Sequence, residues 1–380
     1  MSRKLYTVFA LLVVLSLALT GVGMAQGDMQ TAADGYFSGG TQNIKAADLF
    51  DVLNDGDTSN DPVILDLRAP DDYAAGHIPG AVNVSVKQLF EADQLAELAG
   101  KEVVTYCYTG QTSSQATSAL NMAGIPAKSM LFGFPSWANV PVVAGQAPFD
   151  AAVDQHDYKV DTEAVEATEE FDPPAEIALT DYFGNGTKNI KASDLFDNLN
   201  DGDTSNDPFM IDVRRAEDYA AGHIPGAVSM DPKTMFSVEN LAKIPSDRQV
   251  VVNCYTGQSA SQVVSALNVL GYDATNLKFG FASWSPSGTY SFDAATASGN
   301  YKYDGTGAEM AMAEEAAPAE EAAPAEEAAP AAEAAPAAEA APAAEPAQLP
   351  ATGAVPFDFT WIYLLVGSGL LGSGLYLRRK

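Results

Sequence analysis

Cys107 and Cys254 are the residues of this sequence best suited to covalent chemistry, and they are its only cysteines. Each ends an apolar segment and begins a polar turn that contains glycine, within residues 104–111 and 251–258. A free cysteine often serves only as a small apolar side chain, but reactive thiols lie in polar turns of this kind. The repeated placement therefore predicts two nucleophilic thiols.

The two cysteine segments belong to a longer internal repeat. Asp66 recurs as Asp212 with a shift of 146 residues, whereas Cys107 recurs as Cys254 with a shift of 147. Two copies of this length indicate duplicated domains rather than a solenoid. The predicted organisation is a first domain (30–162), an acidic linker (163–175) and a second domain (176–306).

Each copy alternates helices with short apolar strands. Residues 46–53 have apolar side chains at helical spacing, and residues 63–65 form a short apolar strand. A second strand covers 103–106, and the helix after Cys107 ends at Gly124. This alternation predicts an α/β fold in which a central parallel sheet has helices on both faces.

The predicted layout puts each cysteine at the carboxyl end of a central strand, just before a helix N-terminus. Ligand sites of open α/β sheets lie at that edge. The N–H groups and the dipole of the helix favour an anion there, so we expect the pKa of both thiols to fall below its ordinary value. Successive N–H groups of the turn can also hold an anionic sulfur.

Several short motifs of both copies resemble the signature of the rhodanese family. They are Asp-Leu-Arg (66–68) with Asp-Tyr-Ala-Ala-Gly-His-Ile-Pro-Gly-Ala (72–81), the second-copy equivalents at 212–214 and 218–227, and a closing glycine–tryptophan motif at 133–137 and 280–284. The resemblance covers both copies almost entirely. It implies two tandem rhodanese-like domains, each a small α/β domain around a central parallel sheet.

The resemblance implies a sulfurtransferase. In that family the cysteine takes a sulfane sulfur from a small donor such as thiosulfate, becomes a persulfide and passes the sulfur to a thiol or to cyanide. A thiolate nucleophile and a persulfide held by loop N–H groups suit this chemistry. Cys107 and Cys254 are then the catalytic nucleophiles. The binding loops are Tyr108, Thr109, Gly110, Gln111 and Thr112 in the first copy, and Tyr255, Thr256, Gly257, Gln258 and Ser259 in the second.

We interpret the charged and imidazole side chains of the signature as structural. They are Asp66, Arg68, His77, Asp212, Arg214 and His223. The histidines lie in a Gly-His-Ile-Pro-Gly turn, far in sequence from the cysteines, and resemble the family's structural histidine. The Asp-Arg pairs are expected to hold the turn through charge-assisted hydrogen bonds. No cofactor and no metal ion is assigned.

The sequence departs from the family pattern in two ways. Many tandem sulfurtransferases keep the cysteine only in the second domain, whereas both copies keep it here. The loops also contain no Arg or Lys, and Gln111 and Gln258 stand where many relatives have arginine. A dianion such as thiosulfate would meet only amide dipoles and hydroxyls, so a polysulfide or a small persulfide is an alternative donor.

Two rival functions remain open. A phosphatase or arsenate reductase of related fold needs an arginine six positions after the cysteine, where this chain has Ser113 and Ala260. The other rival is a non-catalytic rhodanese-like module that binds partners or senses sulfur at the cell surface. The retention of both cysteines argues against this second rival.

The sequence contains many more acidic residues than basic ones. A formal net charge of -30 excludes a general nucleic-acid binder, which needs a basic face. Residues 55–61 and 201–207 resemble the start of a calcium loop but lack the glycine expected at the sixth position. We favour acidic turns there, and calcium binding stays an open question.

The ends of the chain carry sequence signals of export. Residues 1–25 have a basic start, an apolar stretch and small residues, as in a secretory signal peptide, with an uncleaved membrane anchor as the alternative. Residues 307–348 are rich in Ala, Glu and Pro and cannot bury a core, so we predict a disordered stalk.

Residues 349–380 resemble the sorting signal of Gram-positive cell-wall proteins. A sortase would cut within the motif Leu349, Pro350, Ala351, Thr352 and Gly353, which an apolar span and a basic tail follow. A permanent transmembrane helix is the alternative. Either interpretation puts the two domains outside the cell, anchored to the wall or the membrane. The oligomeric state is left open.

Overall fold

The computed structural model describes residues 28–138, 147–290, 292–293 and 297–302. The predicted signal peptide, the predicted sorting signal and the predicted stalk lie outside these residues. None of the helices in the described ranges is long and apolar enough to cross a bilayer. The described residues form two parallel five-stranded sheets with helices around them.

Five strands of the first copy form one parallel sheet: β1 (Asn43–Ile44), β2 (Val63–Asp66), β3 (Val82–Asn83), β4 (Val103–Tyr106) and β5 (Ala127–Met130). Their order across the sheet is β1-β5-β4-β2-β3, so β4 lies in the centre. Every residue of β4 is buried, as expected of a parallel strand that is covered on both faces. The predicted strands and the predicted parallel sheet are confirmed.

The second copy repeats this sheet with β6 (Asn189–Ile190), β7 (Phe209–Asp212), β8 (Val228–Ser229), β9 (Val250–Asn253) and β10 (Ala274–Leu277). The order is β6-β10-β9-β7-β8, so β9 takes the central place of β4. We call the residues built around the first sheet, 43–138, the first domain, and those around the second sheet, 189–285, the second domain.

Helices connect the strands in both copies. The first copy contains α1 (Asp28–Ser38), α2 (Ala46–Leu53), α3 (Pro70–Ala75), α4 (Val86–Leu89), α5 (Ala92–Leu98), α6 (Gln111–Met122), α7 (Phe134–Trp137) and α8 (Ala151–Asp154). The second contains α9 (Leu179–Gly184), α10 (Ala192–Leu199), α11 (Ala216–Ala221), α12 (Val238–Leu241), α13 (Gln258–Val269) and α14 (Phe281–Trp284). The helices predicted over 46–53 and after Cys107 are confirmed as α2 and α6.

The first helix of each copy packs on the other domain. Phe37 of α1 stacks on Phe236 of the second domain, with ring centroids 4.4 Å apart. Phe183 of α9, its counterpart in the repeat, stacks on Phe90 of the first domain at 4.1 Å. All four rings are buried. The sequence-based division at 163–175 therefore separates residues that pack together in the folded chain.

Short segments that follow each domain are exchanged in the same way. The indole Nε1 of Trp284 in the second domain donates to the carbonyl oxygen of Lys159, 3.0 Å away, in the segment after the first domain. The indole Nε1 of Trp137 in the first domain donates to the carbonyl oxygen of Lys302, also at 3.0 Å, in the segment after the second. The helices α1 and α9 and these two segments therefore each pack on the domain of the other copy.

Replacing Tyr301 with alanine should therefore destabilise the first domain, although Tyr301 follows the second. Its ring stacks on Phe50 at 4.2 Å and lies 5.0 Å from the ring of Trp137. We expect the free energy of unfolding to fall by about 2 kcal/mol because these aromatic contacts are lost. Urea unfolding followed by tryptophan fluorescence measures the change. Val153→Ala, at a side chain that is 71% exposed, is the control, and equal effects of the two variants would contradict the prediction.

Candidate functional site

Cys107 and Cys254 directly follow β4 and β9, the central strands of the two sheets, and each is 2% exposed. Gly110 and Gly257 directly precede the helices α6 and α13 and have φ angles of 83° and 82°. Glycine adopts this left-handed conformation without the strain of a side chain, so the chain can turn sharply from strand to helix. The predicted position of each cysteine in the fold is confirmed, and both are free thiols.

A backbone N–H of the first helical turn points at the Cys107 sulfur, and several N–H groups of the turn and the first helical turn point at the Cys254 sulfur. The amide nitrogen of Ser113 lies 3.4 Å from Cys107 Sγ, and that of Gly257 lies 3.2 Å from Cys254 Sγ. Further N–H groups at the Cys254 sulfur come from Thr256, Ser259 and Ala260. A ring of N–H groups binds an anion, so it can stabilise both a thiolate and a persulfide.

The predicted fall of the thiol pKa is wrong for Cys254. Burial raises the pKa of this thiol above its ordinary value of 9.0, and the loop N–H groups offset only part of that rise. The physical reason is that a buried thiolate loses its hydration, and amide dipoles replace that hydration incompletely. The sequence indicated the helix N-terminus correctly but could not reveal how little water reaches the sulfur.

Alkylation of Cys254 by iodoacetamide should therefore be slow near pH 7 and should still increase above about pH 9, because only the thiolate reacts. A raised pKa means that the thiol loses its proton at higher pH than an exposed thiol does. The rate is measured against pH in a Cys107→Ser protein. The control is the same protein unfolded in guanidinium, whose curve should lie at lower pH. A folded-state curve at or below the unfolded-state curve would contradict the prediction.

The closing glycine of the repeated motif packs directly against the cysteine turn. A Cβ atom on Gly133 would lie 2.3 Å from the carbonyl oxygen of Cys107, and one on Gly280 would lie 2.4 Å from that of Cys254. The next residue in each case donates its N–H to the same carbonyl, at 2.8 Å in the first domain and 2.7 Å in the second. The motif is recognisable in the sequence, whereas its contact with the cysteine is visible only in the folded chain.

Tyr108 and Tyr255 tie the cysteine loops to the helices α3 and α11. The Tyr108 hydroxyl donates to the carboxylate of Asp72 and accepts from the backbone N–H of Ala69 at 3.0 Å. Burial and the hydrogen bond to Asp72 raise the pKa of Tyr108 to about 12, so the phenol stays a neutral donor. Tyr255 donates in the same way to Asp218. These tyrosines connect each cysteine loop to the Asp-Tyr-Ala-Ala-Gly-His motif.

Hydroxyl groups at the start of each helix lie against the other copy. Thr112 Oγ1 is 3.2 Å from the hydroxyl oxygen of Thr187, which precedes β6. Ser259 Oγ is 3.4 Å from the hydroxyl oxygen of Thr41, which precedes β1. The fold therefore brings both loops to the contact between the two domains.

The loop glutamines are buried at the same contact. Gln111 and Gln258 are 3% and 2% exposed. Each donates from Nε2 to a threonine of its own loop, Thr109 or Thr256, at 3.4 Å. The Oε1 atoms accept hydrogen bonds from the opposite domain. Neither amide group faces solvent.

The Asp-Arg pairs of the signature are buried and connect it to the closing motif. Arg68 Nη2 lies 2.6 Å from Asp66 Oδ2 and also donates to a carbonyl in the Gly-His turn. The guanidinium group lies over the ring of Phe134, 4.0 Å from its centroid. Asp212 and Arg214 repeat the pair at 2.7 Å. These contacts agree with the structural role that we inferred for the pairs.

The histidines of the signature contact tyrosines. The His77 ring stacks on Tyr73 at 3.8 Å, and its Nδ1 lies 2.9 Å from the carbonyl oxygen of that residue. His223 makes the same contacts with Tyr219, and its side chain is completely buried. The imidazole therefore closes a turn of its own helix in each domain, which favours the structural interpretation.

The acidic turns form internal hydrogen bonds in place of a prearranged ion site. Asp55 Oδ1 accepts from the backbone N–H of Asp57 at 2.7 Å, and Asp55 Oδ2 accepts from the side chain of Asn60 at 2.9 Å. Asp201 makes the equivalent bonds in the second copy. Across the part of the chain that the structure describes, no three His, Cys, Asp or Glu side chains are grouped so that they could hold a metal ion.

Two segments of the chain match the sequence profile of one protein family, the rhodanese-like domain. The matched residues are 46–140 and 191–287, which together make up just over half of the chain. Each matched segment contains four of the five strands of one sheet, one cysteine loop and one closing motif.

Individual relatives match over one domain at a time. A sulfurtransferase of Allochromatium vinosum is 31% identical over 83 residues, which cover 22% of this chain and 76% of that protein. The HTH-type transcriptional regulator Rv0324 of Mycobacterium tuberculosis is 39% identical over 88 residues, 22% of this chain and 38% of the regulator. The chain thus spans less than half of that regulator's length.

Among solved structures, similarity extends over both domains to a thiosulfate sulfurtransferase from Pseudomonas aeruginosa. The two chains are 19% identical, with a TM-score of 0.24, and the match covers 70% of this chain and 48% of the other.

Proposed function

The chain belongs to the rhodanese-like domain family, and from this premise we propose that it moves a sulfane sulfur from a small donor to a thiol or cyanide acceptor through persulfides on Cys107 and Cys254. One observation carries the proposal. Each thiol directly follows the central strand of its sheet at a helix N-terminus, with a backbone N–H 3.4 Å from Cys107 Sγ and 3.2 Å from Cys254 Sγ. This is the environment that a persulfide anion needs.

The reaction proceeds in two displacement steps. The cysteine thiolate attacks the outer sulfur of the donor, a new S–S bond forms, and the donor's own bond to that sulfur breaks. The electron pair leaves with sulfite when the donor is thiosulfate, or with a thiolate when it is a persulfide. The acceptor then attacks the outer sulfur, and the pair of the cleaved S–S bond returns to the cysteine. Cyanide becomes thiocyanate, and a thiol becomes a persulfide.

The charges of the loops favour a donor with low charge. Residues 108–112 and 255–259 contain no Lys or Arg, and the guanidinium groups of Arg68 and Arg214 are already paired with Asp66 and Asp212. A thiosulfate dianion would approach a strongly acidic protein and meet amide dipoles and hydroxyls in the loops, with the charge of Arg215 acting on Tyr255 of the second loop. Small organic persulfides, which carry less negative charge than thiosulfate, should therefore load the cysteines faster than thiosulfate does.

The proposal puts the protein outside the cell. Its support is the sequence alone, because residues 1–25 resemble a secretory signal and residues 349–380 resemble a wall-sorting signal or a membrane anchor. Mass spectrometry of the mature protein from cell walls tests the anchor. A chain that ends at Thr352 supports sortase attachment to the wall, whereas a chain that still carries residues 378–380 supports the transmembrane helix.

Intact mass spectrometry tests the chemistry. The chain is treated with thiosulfate or with a polysulfide and then with cyanide, beside Cys107→Ser, Cys254→Ser and the double variant. We expect one added sulfur per cysteine, which cyanide removes as thiocyanate, and none in the double variant. Folded protein with free thiols that gains no sulfur from either donor would overturn the proposal.

A non-catalytic module that binds partners or senses sulfur is the second candidate. The observation that favours it is the burial of both sulfurs, together with the raised pKa of Cys254. Such a module would gain sulfur without passing it on. Persulfide that forms on the cysteines but resists both cyanide and a thiol would favour this candidate over a sulfurtransferase.

A further inference from the structure

The glutamine of each cysteine loop accepts a hydrogen bond from the opposite domain. Gln258, which follows Cys254 in the second domain, reaches the first domain and accepts from the backbone N–H of Phe132 at 2.9 Å. Phe132 has a φ of 63°, a left-handed conformation that is strained for a phenylalanine. The Gln258 amide therefore holds a strained backbone position of the first domain.

Phe132 is directly connected to the support of Cys107. The next residue is Gly133, whose Cα lies against the carbonyl group of Cys107. Phe134 follows and donates its N–H to that carbonyl at 2.8 Å. A shift of Phe132 would move Gly133 and Phe134, the two residues that contact the Cys107 carbonyl. A change at Gln258 can therefore alter the Cys107 turn through Phe132.

The glutamine of the first domain makes equivalent contacts with the second domain. Gln111 of the first domain accepts from the side-chain Nδ2 of Asn276 at 2.8 Å and from the backbone N–H of Phe279 at 3.4 Å. Phe279 also has a positive φ, 64°. It precedes Gly280 and Phe281, and Phe281 donates its N–H to the carbonyl of Cys254 at 2.7 Å.

The glycines of the two loops make room for these side chains. A Cβ atom on Gly110 would lie 2.5 Å from Gln258 Oε1, and one on Gly257 would lie 2.9 Å from Gln111 Oε1. The helices that begin at these loops also touch, since Ser118 Oγ and Ser265 Oγ are 2.5 Å apart. Each turn thus fits against the glutamine of the opposite domain.

We infer that Gln258 positions the Cys107 turn and Gln111 positions the Cys254 turn, so that each site is completed by the other domain. The glutamines are positioning residues, because their contacts are with the backbone that carries the cysteine and not with the sulfur. The inference rests on the proposed function only in taking the two turns as sulfur-transfer sites.

The test combines glutamine substitutions with cysteine substitutions in the full chain. Gln111→Ala and Gln258→Ala are each made in a Cys254→Ser protein, which reports on Cys107, and in a Cys107→Ser protein, which reports on Cys254. The readouts are the rate of persulfide formation with polysulfide and the limiting rate of iodoacetamide alkylation at high pH. At that limit the thiol is ionised, so a change in its pKa does not contribute to the difference.

Gln258→Ala should slow Cys107 by about tenfold, the factor that one hydrogen bond of ordinary strength represents. Its effect on Cys254 should be the smaller of the two, although Gln258 lies in the Cys254 loop and donates to Thr256 there. Gln111→Ala should do the reverse. If each glutamine acts on the cysteine of its own domain, or on both cysteines equally, the inference is wrong.

Gln258→Glu separates positioning from a general loss of structure. The carboxylate keeps an acceptor for the Phe132 N–H but loses the donor to Thr256. Cys107 alkylation should therefore recover toward the parent rate, whereas failure to recover would count against positioning. Alkylation needs no sulfur donor. If the parent protein never forms a persulfide, the proposed function fails while the alkylation crossover still decides the inference.

Discussion

Gly280→Ala should reduce both sulfur loading and alkylation of Cys254 by about a hundredfold or more, whereas Cys107 in the same chain should keep most of its reactivity. The new methyl group would lie 2.4 Å from the Cys254 carbonyl oxygen and 2.7 Å from the backbone nitrogen of Gly257. Neither neighbour is a flexible side chain, so the turn itself must move. A displacement of about 1 Å at a reacting group can cost a hundredfold in rate.

Gly202→Ala is the matched control for this variant. Gly202 also has a positive φ, 87°, but a Cβ there would have no neighbour within 4 Å, whereas Gly280 combines a φ of 62° with a ψ of -151°, a backbone region that is essentially restricted to glycine. The control carries the cost of an alanine at positive φ, about 1–2 kcal/mol, without the collision at the cysteine turn and without the additional backbone strain of Gly280. The readout is single-turnover persulfide formation by intact mass. Equal losses in the two variants would show that strain, and not contact with the turn, is responsible.

The sequence allowed good prediction of the elements that carry the cysteines. The strand 103–106 was visible as a short apolar segment before a polar turn, and the helix over 46–53 as apolar spacing of period 3.6. These features depend on residues that are neighbours in the chain. The position of Cys107 at the carboxyl end of a central strand was predictable as well, because it directly follows the apolar segment and precedes the next helix in an alternating α/β pattern.

The pKa of Cys254 could not be predicted in the same way. Two opposing effects determine it, the N–H groups of the turn and the loss of water around the sulfur. The first is local and visible in the sequence. The second depends on packing between segments that are far apart in the chain, and here it is the larger of the two.

The packing of each first helix on the opposite domain could not be predicted from the sequence either, for a different reason. Tyr36-Phe37 and Tyr182-Phe183 are copies of one another, and so are the domains that receive them. Apolar pattern alone cannot distinguish packing on the domain that follows a helix from packing on the other domain. The side chains that decide it, such as Gln262 accepting from the Tyr36 hydroxyl at 2.6 Å, are recognisable only once the chain is folded.

Phe37→Ala should accordingly destabilise the second domain, and Phe183→Ala the first. Each ring is completely buried and stacked on a phenylalanine of the opposite domain, so its removal should lower the free energy of unfolding by about 3–4 kcal/mol. Hydrogen exchange by mass spectrometry resolves the two effects. Phe37→Ala should speed exchange most in residues 230–252, around Phe236, and Phe183→Ala most in residues 84–106, around Phe90.

Val238→Ala is the control for these two variants, because the Val238 side chain is 67% exposed. Its truncation should change the rate of hydrogen exchange little. A Phe37→Ala protein whose fastest exchange lies in residues 43–138 would contradict the exchange of helices. A mutation in the first helix of one copy should therefore weaken the packing of the opposite domain, so the stabilities of the two domains that carry the cysteines are coupled.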